Sequence, residues 1–232
     1  PSETQVAMML NLAARSGNST GKALANNRVM LGVPDDAANS PFLRDRDVLA
    51  VSALDQKVFN QRLLADSPYN PVENLLSVRE PALWAKIQRR LSGDWASDGV
   101  DADRYFSSSS AWRGFISYRS PWNPQRVVVV AMASSDDQLA KLEDDLNSPR
   151  INAGIRGDTA VITSDNGVRS FQVSTPFPSG QMPWYMMAVW YANQHSGLLA
   201  VLGLIATSIL GLALTAMFKR HARKRLESGE SQ

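Results

Sequence analysis

From Gly197 to Phe218 the chain reads GLLAVLGLIATSILGLALTAMF, twenty-two residues without a charge, and KRHARKR follows directly. As a helix rising 1.5 Å per residue this stretch measures about 33 Å, slightly more than the roughly 30 Å hydrocarbon core of a bilayer. Buried helices of soluble domains seldom run so far without one charge, so the segment reads as a membrane span. Its place at the C-terminal end, with the cations on the far side, excludes a signal peptide.

The flanks orient the span. Lys219, Arg220, Arg223, Lys224 and Arg225 follow it, whereas Asn193, Gln194 and His195 precede it with no Lys or Arg nearby. By the positive-inside rule residues 219–232 form a basic cytoplasmic tail and everything before Gly197 lies outside, in the periplasm if the membrane is a bacterial inner membrane. The same count disposes of nucleic acid as a partner. The pI of 9.1 comes from the tail, because residues 1–218 carry 19 basic against 20 acidic side chains and keep no basic face for a phosphate backbone. Cysteine is absent, which excludes disulfides, thiol nucleophiles and cysteine metal sites.

Within the span Gly203, Thr207, Gly211 and Thr215 recur every four residues, with Leu202, Ile205, Ile209 and Leu212 turned away from that row. Small residues at this spacing let a second helix approach closely, so the row reads as a docking face. Just before the span stands PWYMMAVWYANQHS. Trp184, Met187, Ala188 and Tyr191 share one helical face, and Tyr185, Trp190 and Asn193 broaden it. Aromatic rings with a polar edge suit the headgroup level, so an interfacial amphipathic helix is expected over 178–196, with Trp184, Tyr185, Trp190 and Tyr191 at the membrane surface. The competing reading is a last core helix of the preceding domain.

That domain has the length for one core. Helices are expected at Glu3–Arg15, capped by Ser2 and ended by Gly17, at Leu54–Leu64 and at Glu80–Leu91. Strands are expected at Arg28–Val33, Asp47–Ser52, Arg113–Arg119 and Val127–Met132, and Asp158–Thr163 pairs with Val168–Val173 around SDNG. Loops are expected at Gly93–Arg104 and Ser107–Ser110. The run VVVVAM, apolar at every position, marks a strand buried on both faces, as in a central parallel sheet. Ser135 then caps a helix carrying Leu139, Leu142 and Leu146. Strands alternating with helices give the fold class α/β, a sandwich.

Chemistry is harder to assemble. SGNSTGKA at 16–23 fails as a phosphate loop: three residues separate its glycines, Ala23 follows Lys22, and it comes after a helix. The two histidines, His195 and His221, bracket the span and cannot share a site. The pairs Asp35–Asp36, Asp136–Asp137 and Asp144–Asp145 have solvation or helix-terminus roles as readily as ligation. Trp95, Trp112 and Trp122 fit sugar stacking, core or subunit interface. No catalytic residue, metal ligand or cofactor site emerges, and the chain reads as an accessory subunit whose span packs on a partner's membrane helices.

The order of features resembles the C-terminal end of the bacterial cellulose synthase B subunit family. PSETQVAMMLNLAARSGNSTGKAL, DRDVLAV, VVVVAMAS and, most specifically, PWYMMAVWYANQHSGLLAVLGL with its basic end carry the resemblance, which covers essentially the whole chain. It implies a flavodoxin-like three-layer sandwich over 1–177 that carries no flavin, with its first strand and further domains upstream of Pro1. It also implies a non-catalytic role beside the cellulose synthase catalytic subunit, with nascent glucan and the bilayer as further contacts. Members are described as cyclic di-GMP-binding, although the receptor is understood to be the catalytic subunit's cytoplasmic domain. The alternative function is an anchored periplasmic sensor or solute-binding domain.

Overall fold

The computed structural model describes residues 1–21, 27–32, 42–72, 75–79, 83, 87, 98–163, 167–174, 176–179, 182–194 and 196–229. They fall into two compact units, Pro1–Ala82 with Ala96–Gln181, and Leu83–Trp95 with Met182–Gln232.

The first unit opens with α1 (Glu3–Thr20), started by a capping box in which the Ser2 hydroxyl accepts from the Gln5 N–H while Gln5 Oε1 accepts from the Ser2 N–H. The helix does not stop at Gly17 as expected. It runs one turn further and ends on Gly21, whose φ of 64° is the left-handed conformation that closes helices. After β1 (Val48–Ala53) comes α2 (Lys57–Leu63). It begins three residues later than expected because the Leu54 N–H still bonds the Ala133 carbonyl. A hairpin of β2 (Tyr69–Val72) and β3 (Leu75–Val78) follows, then α3 (Asp98–Ser108), β4 (Arg113–Arg119), β5 (Val127–Ala133), α4 (Asp136–Asp145), α5 (Pro149–Gly154), β6 (Thr159–Ile162) and β7 (Val168–Phe171).

The main sheet has the order β1-β5-β4-β6-β7. β5 is an inner strand, between β1 and β4, and has helices on both sides. Val128, Val130 and Met132 join Leu63, Phe106, Trp112 and Tyr118 in one core, while Ala131 and Ala133 join Met8, Leu139, Leu142 and Ile151 in the other. The unit is therefore a mixed α/β fold with two cores. The expectation of a parallel sheet needs correction, since only β1 and β5 run parallel and β4 pairs antiparallel with β5 and β6. The reason is connection length: residues 120–126 join β4 to β5, too few for a crossover helix and enough for a hairpin loop.

Three further expectations change. Residues 27–32 form no strand; Val29 and Leu31 are exposed and Gly32 has φ of 105°. The loops at Gly93–Arg104 and Ser107–Ser110 are, from Asp98 to Ser108, the helix α3, with Asp98 and Asp101 in its first turn and Ala102 and Phe106 buried. The β2–β3 hairpin is an addition to the expected elements, because Pro71 disfavours a strand; a two-stranded sheet tolerates it. The helix expected over Glu80–Leu91 lies outside the described residues apart from Leu83 and Ile87, both helical, and Val33, Asp35, Asp36 and residues 164–166 of the SDNG turn lie outside them as well.

The second unit contains α6 (Trp184–Gln194) and α7 (Ser196–Gly229). His195, between them, is outside the described residues.

Candidate functional site

In α/β sheets ligands gather beyond the carboxyl ends of parallel strands. Here that place lies beyond Ala53 and Ala133, and the first turn of α1 occupies it. Gln5, 4% exposed, donates from Nε2 to Asp136 Oδ1 at 3.3 Å and accepts from Gln56 Nε2 at 2.8 Å. One amide thus ties both strand-following loops to the N-terminal helix. Beneath it the buried Asn60 accepts from the Ser52 hydroxyl at 2.6 Å and donates to the Ala53 carbonyl. The polar side chains of Gln5, Gln56, Asn60, Ser52 and Asp136 at this place are engaged with each other and with the backbone.

The other chemical candidates have structural posts. Asp136 and Asp137 stand in the first turn of α4, where carboxylates suit the helix dipole. Asp145 pairs with Arg113, which also donates to Gln138 Oε1, and both members of this pair are almost buried between β4 and α4. Asp144 is exposed. Trp112 is buried edge-on against Phe106 and Trp122 is half-buried against the same core, so Trp112 has no face free for a sugar; Trp95 is outside the described residues. Burial pushes the phenols of Tyr69 and Tyr118 well above the ordinary tyrosine range; Tyr69 bonds Thr159 Oγ1 and Tyr118 donates to the Leu63 carbonyl at 2.6 Å. Among the described residues no three His, Cys, Asp or Glu side chains gather as a metal would require.

A different carboxylate organises the end of the domain. Asp158, just before β6, accepts from the N–H groups of Val173 and Ser174, the Ser174 hydroxyl and Gln172 Nε2, while Asp98 takes the Gln172 N–H. Residues 172–174, leading out of β7, are thereby fixed to the sheet.

The second unit carries the residues expected at the membrane. α6 starts after Pro183, whose carbonyl accepts from the Met187 N–H at 3.0 Å. From Trp184 to Ala192 all nine residues are apolar or aromatic, so apolar side chains surround the helix and it is not the two-sided amphipathic helix expected. Trp184, Tyr185, Met186, Met187, Val189 and Tyr191 are exposed, and Trp190 is half-buried. In α7 the stretch Leu199–His221, with mean hydropathy 2.2 and nothing buried, is long and apolar enough to cross a membrane. Its bounds sit two to three residues beyond those read from charge alone.

The row of small residues lies open. A Cβ placed on Gly203 or Gly211 would meet nothing within 4 Å. Thr207 donates to the Gly203 carbonyl at 2.9 Å and Thr215 to the Gly211 carbonyl at 2.8 Å. With their hydroxyls satisfied inside the helix, these threonines present methyl groups and ask no hydrogen bond of a neighbour. The tail is a continuation of α7, helical to Gly229; Lys219 and Arg220 are exposed, and of Arg223, Lys224 and Arg225 only the backbone is described.

Residues 1–131 match the family model described as "Cellulose synthase BcsB, second FD domain". The chain belongs to the BcsB family. It is similar to proteins named "Cyclic di-GMP-binding protein" from Salmonella typhimurium and Escherichia coli K12, each 28% identical, and from Komagataeibacter xylinus, 21% identical. These alignments cover 97–98% of this chain and 28% of each relative, so the chain spans little more than a quarter of those proteins. BcsB is the name of an accessory subunit, which agrees with the lack of assembled catalytic groups in the reading of the sequence. One apolar helix of spanning length at its C-terminal end fits a single-pass anchor.

Sequence reasoning missed Gln5 and Asp158. Ser2 was expected as the cap of α1, but the partners of Gln5 stand 51 and 131 residues away.

Proposed function

We propose that this chain is the anchoring portion of a non-catalytic BcsB subunit of bacterial cellulose synthase. The α/β unit, of flavodoxin-like three-layer type over residues 1–177, occupies the periplasmic side of the inner membrane, with a first strand supplied from upstream. α7 crosses the bilayer and its basic end lies in the cytoplasm. Trp184, Tyr185, Trp190 and Tyr191 of α6 sit at the outer headgroup level, and Gly203, Thr207, Gly211 and Thr215 pack on membrane helices of the catalytic subunit. Glucan synthesis takes place in that partner, and the nascent polymer passes along the periplasmic unit. The cyclic di-GMP binding in the relatives' names belongs, in this reading, to the assembled complex, since a periplasmic domain does not meet a cytoplasmic dinucleotide.

The observation that carries this reading is the open glycine–threonine row on an uncovered apolar helix, followed directly by five cations. Topology is tested on the cysteine-free chain by Ser2→Cys and Ser228→Cys with a membrane-impermeant thiol reagent applied to spheroplasts. Labelling at position 2 alone is expected. Labelling at position 228 alone would overturn the orientation.

A further inference from the structure

The chain leaves the α/β unit at one defined end of its sheet. Register places Arg119, the last residue of β4, opposite Val127, the first of β5, and Val48 of β1 opposite Val128. Thr159 pairs with Ile116 on one side and Phe171 on the other, so β6 begins and β7 ends at this same end. The exit segment stays there. Asp158 holds residues 172–174, and the guanidinium of Arg119 lies 4.8 Å from the centroid of the Phe177 ring. Between Phe177 and Trp184, the first residue of α6, residues 178–183 reach at most about 25 Å at full extension.

The two ends of the sheet differ in charge. Arg44, Arg46, Arg119, Arg126 and Arg156 gather at the exit end. Asn123 in the β4–β5 loop donates to the Arg44 carbonyl at 2.7 Å, and Arg156, just before β6, sets its N–H on the Ser170 hydroxyl. Arg44, Arg46, Arg119 and Arg156 are exposed. Most carboxylates of this end are engaged by the protein itself: Asp158 by the exit segment, Asp98 by the Gln172 N–H, Asp47 by the Val127 N–H and Arg126. Asp45 and Asp66, both exposed, offset part of the positive charge. Beyond Ala53 and Ala133, at the far end, stand Asp55, Asp136 and Asp137 with Glu3 in the first turn of α1, against Lys57. An anionic headgroup layer attracts the first end and repels the second.

We propose that the exit end of the sheet is a lipid-facing surface, whose arginines meet the phosphates of anionic lipid in the outer leaflet while the acidic end turns away. The inference rests on the anchor reading of α7, which brings a bilayer within reach of this end, and adds an orientation to it. A span alone leaves the unit free to tumble on its linker; the uneven charge selects one orientation.

The chain lacks cysteine, so single fluorophores are placed by Gln125→Cys in the β4–β5 loop, Ser110→Cys at the far end and Ile209→Cys in the span. Ser110 is exposed and stands just before Trp112, whose N–H bonds the hydroxyl of Ser134, the residue after β5. The full chain is reconstituted in discs of phosphatidylethanolamine and phosphatidylglycerol carrying a lipid with a nitroxide on its headgroup or on its acyl chain, either of which quenches at short range. The expected result is headgroup quenching several-fold stronger at 125 than at 110. That excess shrinks about two-fold or more when phosphatidylcholine replaces phosphatidylglycerol, and equally in the triple variant Arg44→Gln, Arg46→Gln, Arg156→Gln. Equal quenching at the two sites, or stronger quenching at 110, overturns the proposal, provided that acyl-chain quenching at 209 shows the span in place. An excess at 125 undiminished by both changes overturns the part given to the arginines. Absence of acyl-chain quenching at 209 overturns the anchor reading itself.

Discussion

Asp158 Oδ1 accepts the backbone N–H of Val173 at 2.8 Å, and its other oxygen gathers Ser174 and Gln172. One carboxylate thus fixes the segment through which the chain leaves the sheet, using donors that belong to three successive residues. Hydrogen bonds to a charged acceptor are the stronger kind, and removing the acceptor deprives the Val173 and Ser174 N–H groups of their partner, while Gln172 Nε2 keeps the Ser174 carbonyl.

Asp158→Ala is therefore expected to lower stability by about 3 kcal/mol, and Asp158→Asn by less, because the amide keeps one acceptor oxygen. Urea unfolding of the chain in detergent checks this. Equal midpoints for Asp158→Ala and the parent would show that the exit segment is held by other contacts.

Two glycines should respond oppositely to the same added methyl. A Cβ on Gly114 in β4 would stand 2.0 Å from the Ala160 carbonyl oxygen of β6, so Gly114→Ala must force these paired strands apart. A loss of about 3 kcal/mol or failure to fold is expected. Gly211→Ala meets nothing within 4 Å and should leave the chain's own unfolding midpoint unchanged or slightly raised, as alanine is the better helix former.

The Arg113–Asp145 pair joins β4 to α4 with side chains 8% and 12% exposed. Removing one partner leaves a nearly buried charge, so Asp145→Ala should cost about 3 kcal/mol. The double variant Arg113→Met with Asp145→Leu should recover much of that loss, because no charge then remains unpaired. A denaturation double-mutant cycle reads the coupling.

The buried phenols give a pH dependence with a definite sign. Burial raises the values of Tyr69 and Tyr118 in the folded state, so above about pH 10 the unfolded chain releases phenolic protons that the folded chain keeps. The unfolded state then binds fewer protons, and stability is full below pH 10 and falls as pH rises beyond it. Tyr118→Phe should flatten that alkaline slope in thermal melts taken from pH 8 to about 11.

Local signals made half of the fold legible and tertiary ones withheld the rest. VVVVAM announced a strand covered on both faces, and Ser135 with Gln138 announced the start of α4; each signal is carried by consecutive residues. The antiparallel placing of β4 depends on the short connection between Arg119 and Val127, which hydropathy does not weigh. α3 was hidden because its opening Asp98-Gly99 and its serine-rich end look like loop, although Ala102, Tyr105 and Phe106 already stood at helical spacing. The span was the most legible element, since length and the absence of charge suffice for it. The all-round apolar surface of α6 was also present in the sequence, but its aromatic face dominates the pattern and conceals the rest.

The central claim is that α7 packs on the catalytic subunit through its small-residue row. The most direct test is the amount of cellulose synthase catalytic subunit that co-purifies in mild detergent with the tagged chain, compared with Gly203→Leu and Gly211→Leu variants expressed at the same level. The account predicts that either leucine sharply reduces the recovered catalytic subunit, while Ile209→Leu, on the opposite side of the helix, retains it. Undiminished recovery with both glycine variants would contradict the docking face.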